Sequence, residues 1–261
     1  METITVERED GLVTVTLNRP ESKNAINQQM WDELKVVFHE VAANHEDRAL
    51  LLTGAGGNFS SGADLSGGMT ESKPSEMRPI MESMREIGDT MIRLHQLPKP
   101  TIAKIDGVAV GVGLGMALAC DLVVASDRAR FYEIFPKRGL ALDGGNSWAL
   151  PRMVGLHKAK ELAFFGDLVS AAEAKEIGLV NRVVPVDELD ASAAEWARRL
   201  ASGPTMALSL SKRLLNNSFA SSYEEMIEDE GRCQHILFSG KDMREAMIAY
   251  VQKRDPNFVG Y

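Results

Sequence analysis

Cysteine is scarce: Cys120 and Cys233 are the whole supply in 261 residues, too few and too far apart for a disulfide framework or a zinc knuckle. They read as ordinary buried thiols. The five histidines, His39, His45, His95, His157 and His235, fall in neither an HxH nor an HExxH spacing, which argues against a metal site. No stretch reaches the ~18 consecutive apolar residues of a membrane helix. The opening "METITVERED" lacks the basic-then-apolar layout of a secretory signal, so a cytoplasmic protein with no membrane partner is expected. Positive charge is also short. Lys and Arg number 29 against 37 Asp and Glu, and the net charge of −8 argues against a nucleic-acid binder, whose affinity rests on neutralising phosphates. An anionic ligand would need a local basic patch.

What is present is a chain 44% hydrophobic and long enough to bury a sizeable core. Two alternating strands flank Asp10-Gly11, a hairpin signal. From Gln28, the residues Met30, Trp31, Leu34, Val37, Phe38 and Val41 recur at helical spacing, and "ALLLTG" (49–54) reads as a buried strand. Residues 55–75 are rich in Gly and Ser and read as loop. A helix carrying Ile80, Met84, Ile87, Met91, Ile92 and Leu94 follows, its methionines read as helix core ahead of a long apolar ligand site. "TIAKIDG", "LVVAS", "ARFYE" and part of "GLVNRVVP" read as further strands. "SAAE" (170–173) spells a capping box, and helices punctuated by Gly203-Pro204 fill the chain from Asp187 onward. The mixture predicts an α/β core with a helical C-terminal part.

"GVGLG" (111–115) falls short of the GxGxxG fingerprint and lies mid-chain, so neither a nicotinamide nor a flavin cofactor is expected. Its glycines instead let backbone approach a ligand, and the small-residue helix that follows aims free N–H groups at developing negative charge. "SSGAD" (60–64) is a second glycine turn able to offer another N–H. Two such donors suit an enolate oxygen.

Five stretches stand in an order and spacing that resembles the crotonase superfamily, the enoyl-CoA hydratase/isomerase family. They are "NRPESKNAIN" (18–27), "NFSSGADL" (58–65), "KPTIAKIDGVAVGVGLGMALACDLVVASDRARF" (99–131), "GLALDGGNSWALPRMVG" (139–155) and "SAAEAKEIGLVNRVVP" (170–185). The resemblance implies an α/β crotonase (ClpP-like) spiral of ββα units with a C-terminal helical oligomerisation region. Residues 1–195 would form the core with the acyl-CoA site, and 196–261 the helical trimerisation region of a trimer or dimer of trimers. It implies an acyl-CoA thioester whose carbonyl sits in an oxyanion hole made by the N–H groups of Ala63 and Val112. No cofactor is implied beyond the coenzyme A of the substrate. Most relatives carry Gly where Val112 stands.

Hydratases of that family use two glutamates, whose positions here hold Gly115 and Phe135, and neither can exchange a proton. Glu133 lies two residues from Phe135, but moving it into register would break a gap-free run. Asp143 matches a third acid position, found in the branch that shifts double bonds: certain Δ3,Δ2-enoyl-CoA isomerases and the phenylacetate-pathway ring isomerases. A proton removed alpha to a thioester leaves an enolate, and the same acid can return the proton at the gamma carbon. By residue type alone, Asp143 reads first as an N-cap of the next helix; the resemblance turns it into an acid/base. Lys23 and Lys253 resemble family lysines near the CoA, Arg19 lies in the same region, and Phe135 is placed against the substrate. Asp64, Asp106 and Asp121 read as turn or contact residues and Trp148 as helix core. The implied function is enoyl-CoA isomerisation. An enoyl-CoA hydratase working through Asp143 or Glu133, an acyl-CoA binder without catalysis and, behind these, an aryl-CoA dehalogenase are the alternatives.

Overall fold

The computed structural model describes residues 1–65 and 80–261. Positions 66–79, which belong to the stretches read from sequence as loop (55–75) and as cover for the acyl pocket (65–98), lie outside the described residues. Asp10 and Gly11 both take positive φ, 48° and 80°, and fold β1 (Ile4–Glu9) back on β2 (Leu12–Leu17) as an antiparallel hairpin. This is the conformation an Asp-Gly hairpin turn requires. Asn27 caps α1 (Gln28–Ala43), its side chain accepting from Met30 N–H at 2.9 Å.

Three turns of a spiral follow. Each has one strand in a large parallel region: β3 (Ala49–Gly54), β4 (Thr101–Ile105) and β6 (Leu122–Ser126). A second segment then pairs in a small sheet: a bridge at Ser60, β5 (Val108–Val110) and β7 (Arg130–Tyr132). A helix closes each turn: α2 (Ile80–His95), α3 (Val112–Ala119) and α4 (Asn146–Val154). The chain continues through α5 (Leu156–Phe165), β8 (Leu168–Ser170), α6 (Ala171–Glu176) and β9 (Arg182–Val184). β9 joins the large sheet, whose order is β1-β2-β3-β4-β6-β9, and β8 joins the small one, β5-β7-β8.

The central strands are buried on both faces, hence their unbroken apolar runs. Leu50 and Leu52 of β3 face the main core with α1, while Leu51, Ile102 and Val124 face α7 (Leu189–Ala201). Ala193 and Ala197 let α7 settle closely on the sheet. The sequence-based division between 195 and 196 falls inside this helix. α8 (Thr205–Asn217), α9 (Tyr223–Phe238) and α10 (Lys241–Gln252) complete the chain. No described helix is long and apolar enough to cross a membrane.

β5 and β8 are strands that their sequences do not announce, "VAV" being embedded in a glycine-rich stretch. The capping box expected at 170–173 forms by half: Ser170 accepts from Glu173 N–H, but the Glu173 carboxylate accepts from Lys158 Nζ at 3.0 Å. A complete box forms instead at Ser222 and Glu225, ahead of α9.

Candidate active site

Gly111 ties three segments together. With φ 53° and ψ −121° it turns the chain out of β5 into α3, a conformation that strains an L residue by about 1–3 kcal/mol. Its N–H donates to Tyr132 O at 2.8 Å, at the end of β7, and its carbonyl accepts from Asn146 Nδ2 at 3.1 Å, in the first turn of α4. Val112 then opens α3, so its N–H has no carbonyl within the helix to bond. Alongside, Ser60 N–H donates to Val108 O and Val110 N–H to Ser60 O, at 2.9 and 3.0 Å, which fastens the 60–64 turn to β5. The bridge between that turn and Ile26 is made by Gly62 O and Asp64 N–H, leaving the N–H of Ala63 outside the ladder. The two backbone donors picked out by resemblance thus lie on joined segments. Asp64 holds the turn, as expected, accepting from Arg19 Nη1 at 2.7 Å.

Asp143 does not cap α4 with its side chain. The N-cap is Gly145, with φ 85° and no side-chain hydrogen bond, and Asp143 contributes only its carbonyl, accepting from Asn146 N–H at 3.1 Å. The cap reading is therefore corrected: two glycines with positive φ make the turn themselves. Asp143 Oδ1 is buried with no hydrogen-bond partner, and burial pushes the carboxyl pKa up. An acid so placed is available for proton transfer.

Glu133 is the residue that sequence register set aside. It is 2% exposed, and neither carboxyl oxygen has a hydrogen-bond partner. Burial first, and the Asp143 charge second, push its pKa from 4.5 to about 8. A signal for its burial was present: Phe131 points into the core from β7, and Glu133, two residues on, keeps the same parity.

Phe135 is buried against Gly111, where an added Cβ would meet its ring at 3.6 Å. At Gly115 a Cβ would stand 2.6 Å from Gly144 O, so the position has no room for a side chain.

A cavity of about 790 Å³ opens beside these residues, lined by Met84, Met91 and His95 of α2, Gly115 of α3, Trp148 of α4 and Lys212 of α8. Gly144 and Gly145, directly after Asp143, form part of its wall. Two expectations change here. Trp148, read as core, is 40% exposed, with Arg152 stacked 4.0 Å from its ring and His95 at its edge. The α2 methionines are not core alone, since Met91 is buried yet also lines the cavity with Met84. Burial, then the Lys212 charge, hold the His95 pKa down. Lys212 itself is paired with Asp121 at 2.9 Å.

Lys23 is exposed in a left-handed turn whose carbonyl accepts from Ser61 N–H, at the rim of the 60–64 turn. Lys253, the C-cap of α10, is exposed and shares no hydrogen bond with the site segments among the described residues. Both cysteines are buried, as expected.

Residues 7–260 match the model of the enoyl-CoA hydratase/isomerase family. The chain is 36% identical to a 1,2-epoxyphenylacetyl-CoA isomerase of Escherichia coli (strain K12), over 100% of this chain and 99% of that protein. It is 35% identical to a short-chain-enoyl-CoA hydratase of Clostridium acetobutylicum, over 96% and 95%. The crystal structure of an enoyl-CoA hydratase from Bacillus anthracis superposes with a TM-score of 0.93 at 31% identity, covering 100% of both chains.

Proposed function

The chain belongs to the enoyl-CoA hydratase/isomerase family of acyl-CoA-processing enzymes, and from that premise we propose that it is an isomerase that moves a carbon–carbon double bond in an acyl-CoA thioester. Asp143 takes the proton alpha to the thioester carbonyl, and the N–H groups of Ala63 and Val112 receive the charge that develops on the carbonyl oxygen. The observation that carries this reading is the state of Asp143: a buried carboxylate oxygen without a partner, relieved of capping duty by Gly145. The two positions where family hydratases keep their glutamates support it, because one is Gly115 with no space for a side chain and the other is buried Phe135.

The acyl group extends into the cavity under α2, and Phe135 packs beside it. Lys23 contacts a CoA phosphate, and Lys253 reaches the CoA of a neighbouring subunit in a trimer or dimer of trimers. No cofactor is needed beyond the CoA of the substrate, since proton transfer and enolate stabilisation use only these groups.

The test is conversion of 3-enoyl-CoA thioesters of several chain lengths to the conjugated 2-enoyl form, with Asp143→Asn alongside. Wild type converts; the variant binds but turns over at least ~100-fold more slowly. Equal rates for both would overturn the assignment. A second reading, hydration of 2-enoyl-CoA, is favoured by the 35% identical hydratase and by a second buried, unpartnered carboxyl group that feels the Asp143 charge, Glu133. Water addition faster than isomerisation in the same assay would select it.

A further inference from the structure

A buried carboxyl group with no hydrogen bond costs stability, because its desolvation is not repaid. Glu133 is such a group, and neither oxygen is engaged by a donor. Its neighbours in the chain tie it to the segment carrying Asp143. Tyr132 O accepts from Gly111 N–H, Phe135 packs on Gly111, and Gly111 O holds Asn146, which follows Asp143 by three residues. The backbone on both sides of Glu133 is therefore fastened to Gly111, at the start of α3, and through Gly111 to the segment that follows Asp143. Asp143 is the one charged group among the described residues that acts on it. The nearby cation on its own segment, Lys137, is turned outward to Tyr132 Oη and Asp167.

We propose that Glu133 is a second catalytic acid of this site, a neutral carboxylic acid that protonates the far end of the dienolate generated by Asp143. The inference rests on the reading of Asp143 as the base and replaces the single-residue proton shuttle. The Asp143 carboxylate takes the C2 proton of a 3-enoyl thioester: the C2–H bond breaks, an O–H bond forms, and the electron pair spreads onto the thioester oxygen. Glu133 gives its O–H proton to C4 as the C3–C4 double bond becomes single and a C2–C3 double bond forms. Asp143 is then protonated and Glu133 ionised, and one proton passing from Asp143 to Glu133 restores the start. The unequal environments set that direction, since the more deeply buried acid regains the proton.

The experiment follows 3-hexenoyl-CoA in D2O with wild type, Glu133→Gln and Asp143→Asn, reading deuterium at C2 of the recovered substrate and formation of 2-hexenoyl-CoA. Glu133→Gln is expected to keep C2 exchange while losing conversion ~100-fold or more, and Asp143→Asn to lose both. Conversion by Glu133→Gln at the wild-type rate overturns the role of Glu133 and leaves Asp143 standing. Retention of exchange and conversion by Asp143→Asn, or neither activity in wild type, overturns both. A measurement on wild type alone guards against a misfolded variant: in a single turnover, with enzyme in excess and substrate deuterated at C2 in H2O, two acids place the hydrogen already on Glu133 at C4. Deuterium carried from C2 to C4 means one residue does both steps and overturns the proposal.

Discussion

Glu33 and Glu133 are both buried glutamates, held in opposite ways. Glu33 accepts from Glu2 N–H, Thr3 N–H, Thr3 Oγ1 and Gln29 Nε2, at 2.7–3.0 Å, so that against the upward push of burial its pKa falls to about 2. Glu133 accepts nothing, and its pKa rises to about 8. The folded protein thus holds a Glu133 proton that the unfolded chain releases above pH 4.5. The stability gained from that proton is whole below pH 4.5. It is lost as pH rises toward about 8, by at most about 1.4 kcal/mol per pH unit. Glu133→Gln removes this slope. In thermal unfolding, its Tm relative to wild type should climb from pH 5 to pH 8.5 and level off above, even as activity falls. A Tm difference that does not change with pH would mean that Glu133 is ionised throughout. Sequence could read the residue type and even the inward parity with Phe131, but a gap-free register left it a part only in the hydratase alternative. The absence of partners depends on segments remote in the chain.

At the scale of elements, the packing of α3 against the 143–146 turn is built by close approach. Gly115 carries no side chain because Gly144 O occupies the space, and the 143–146 turn can sit there only while position 115 is bare. Gly115→Ala should cost about 1–3 kcal/mol through overpacking, visible as a lowered Tm. Gly115→Glu, which rebuilds one hydratase-type glutamate, should lower Tm further without raising hydration of 2-enoyl-CoA. A rise in hydration would show that the turn yields. Much of this level was legible from sequence. The Asp-Gly hairpin, α1, α2, β3, β4 and β6 follow from turn chemistry and apolar period. β5 and β8 were not legible, because three-residue strands acquire their character from pairing with β7 and not from their own pattern.

At the scale of the molecule, α8 to α10 leave Leu215, Phe219, Tyr223, Phe238, Tyr250 and Val251 exposed on a single chain. Exposed apolar side chains gathered in the last quarter of the sequence suit a surface covered by other copies of the chain. Sedimentation analysis should find three or six chains per particle at micromolar concentration, and a monomer there would refute the assembly. The cavity under α2 is a property of the same scale, since its walls come from α2, α3, α4 and α8.

The sequence by itself determined the family, the order of the longer strands and helices, and the identity of Asp143 as the acid to examine. These rest on local period, turn residues and motif spacing, which a chain carries before it folds. Only the tertiary structure decided that Gly145 and not Asp143 caps α4, that Trp148 lines a cavity, and that Glu133 is buried without a partner near enough to Asp143 to feel its charge. The physical reason is that a carboxyl group's proton affinity is set by the water it loses and the charges it meets. For Glu133 and Asp143 both are supplied by successive turns of the spiral, brought together at Gly111.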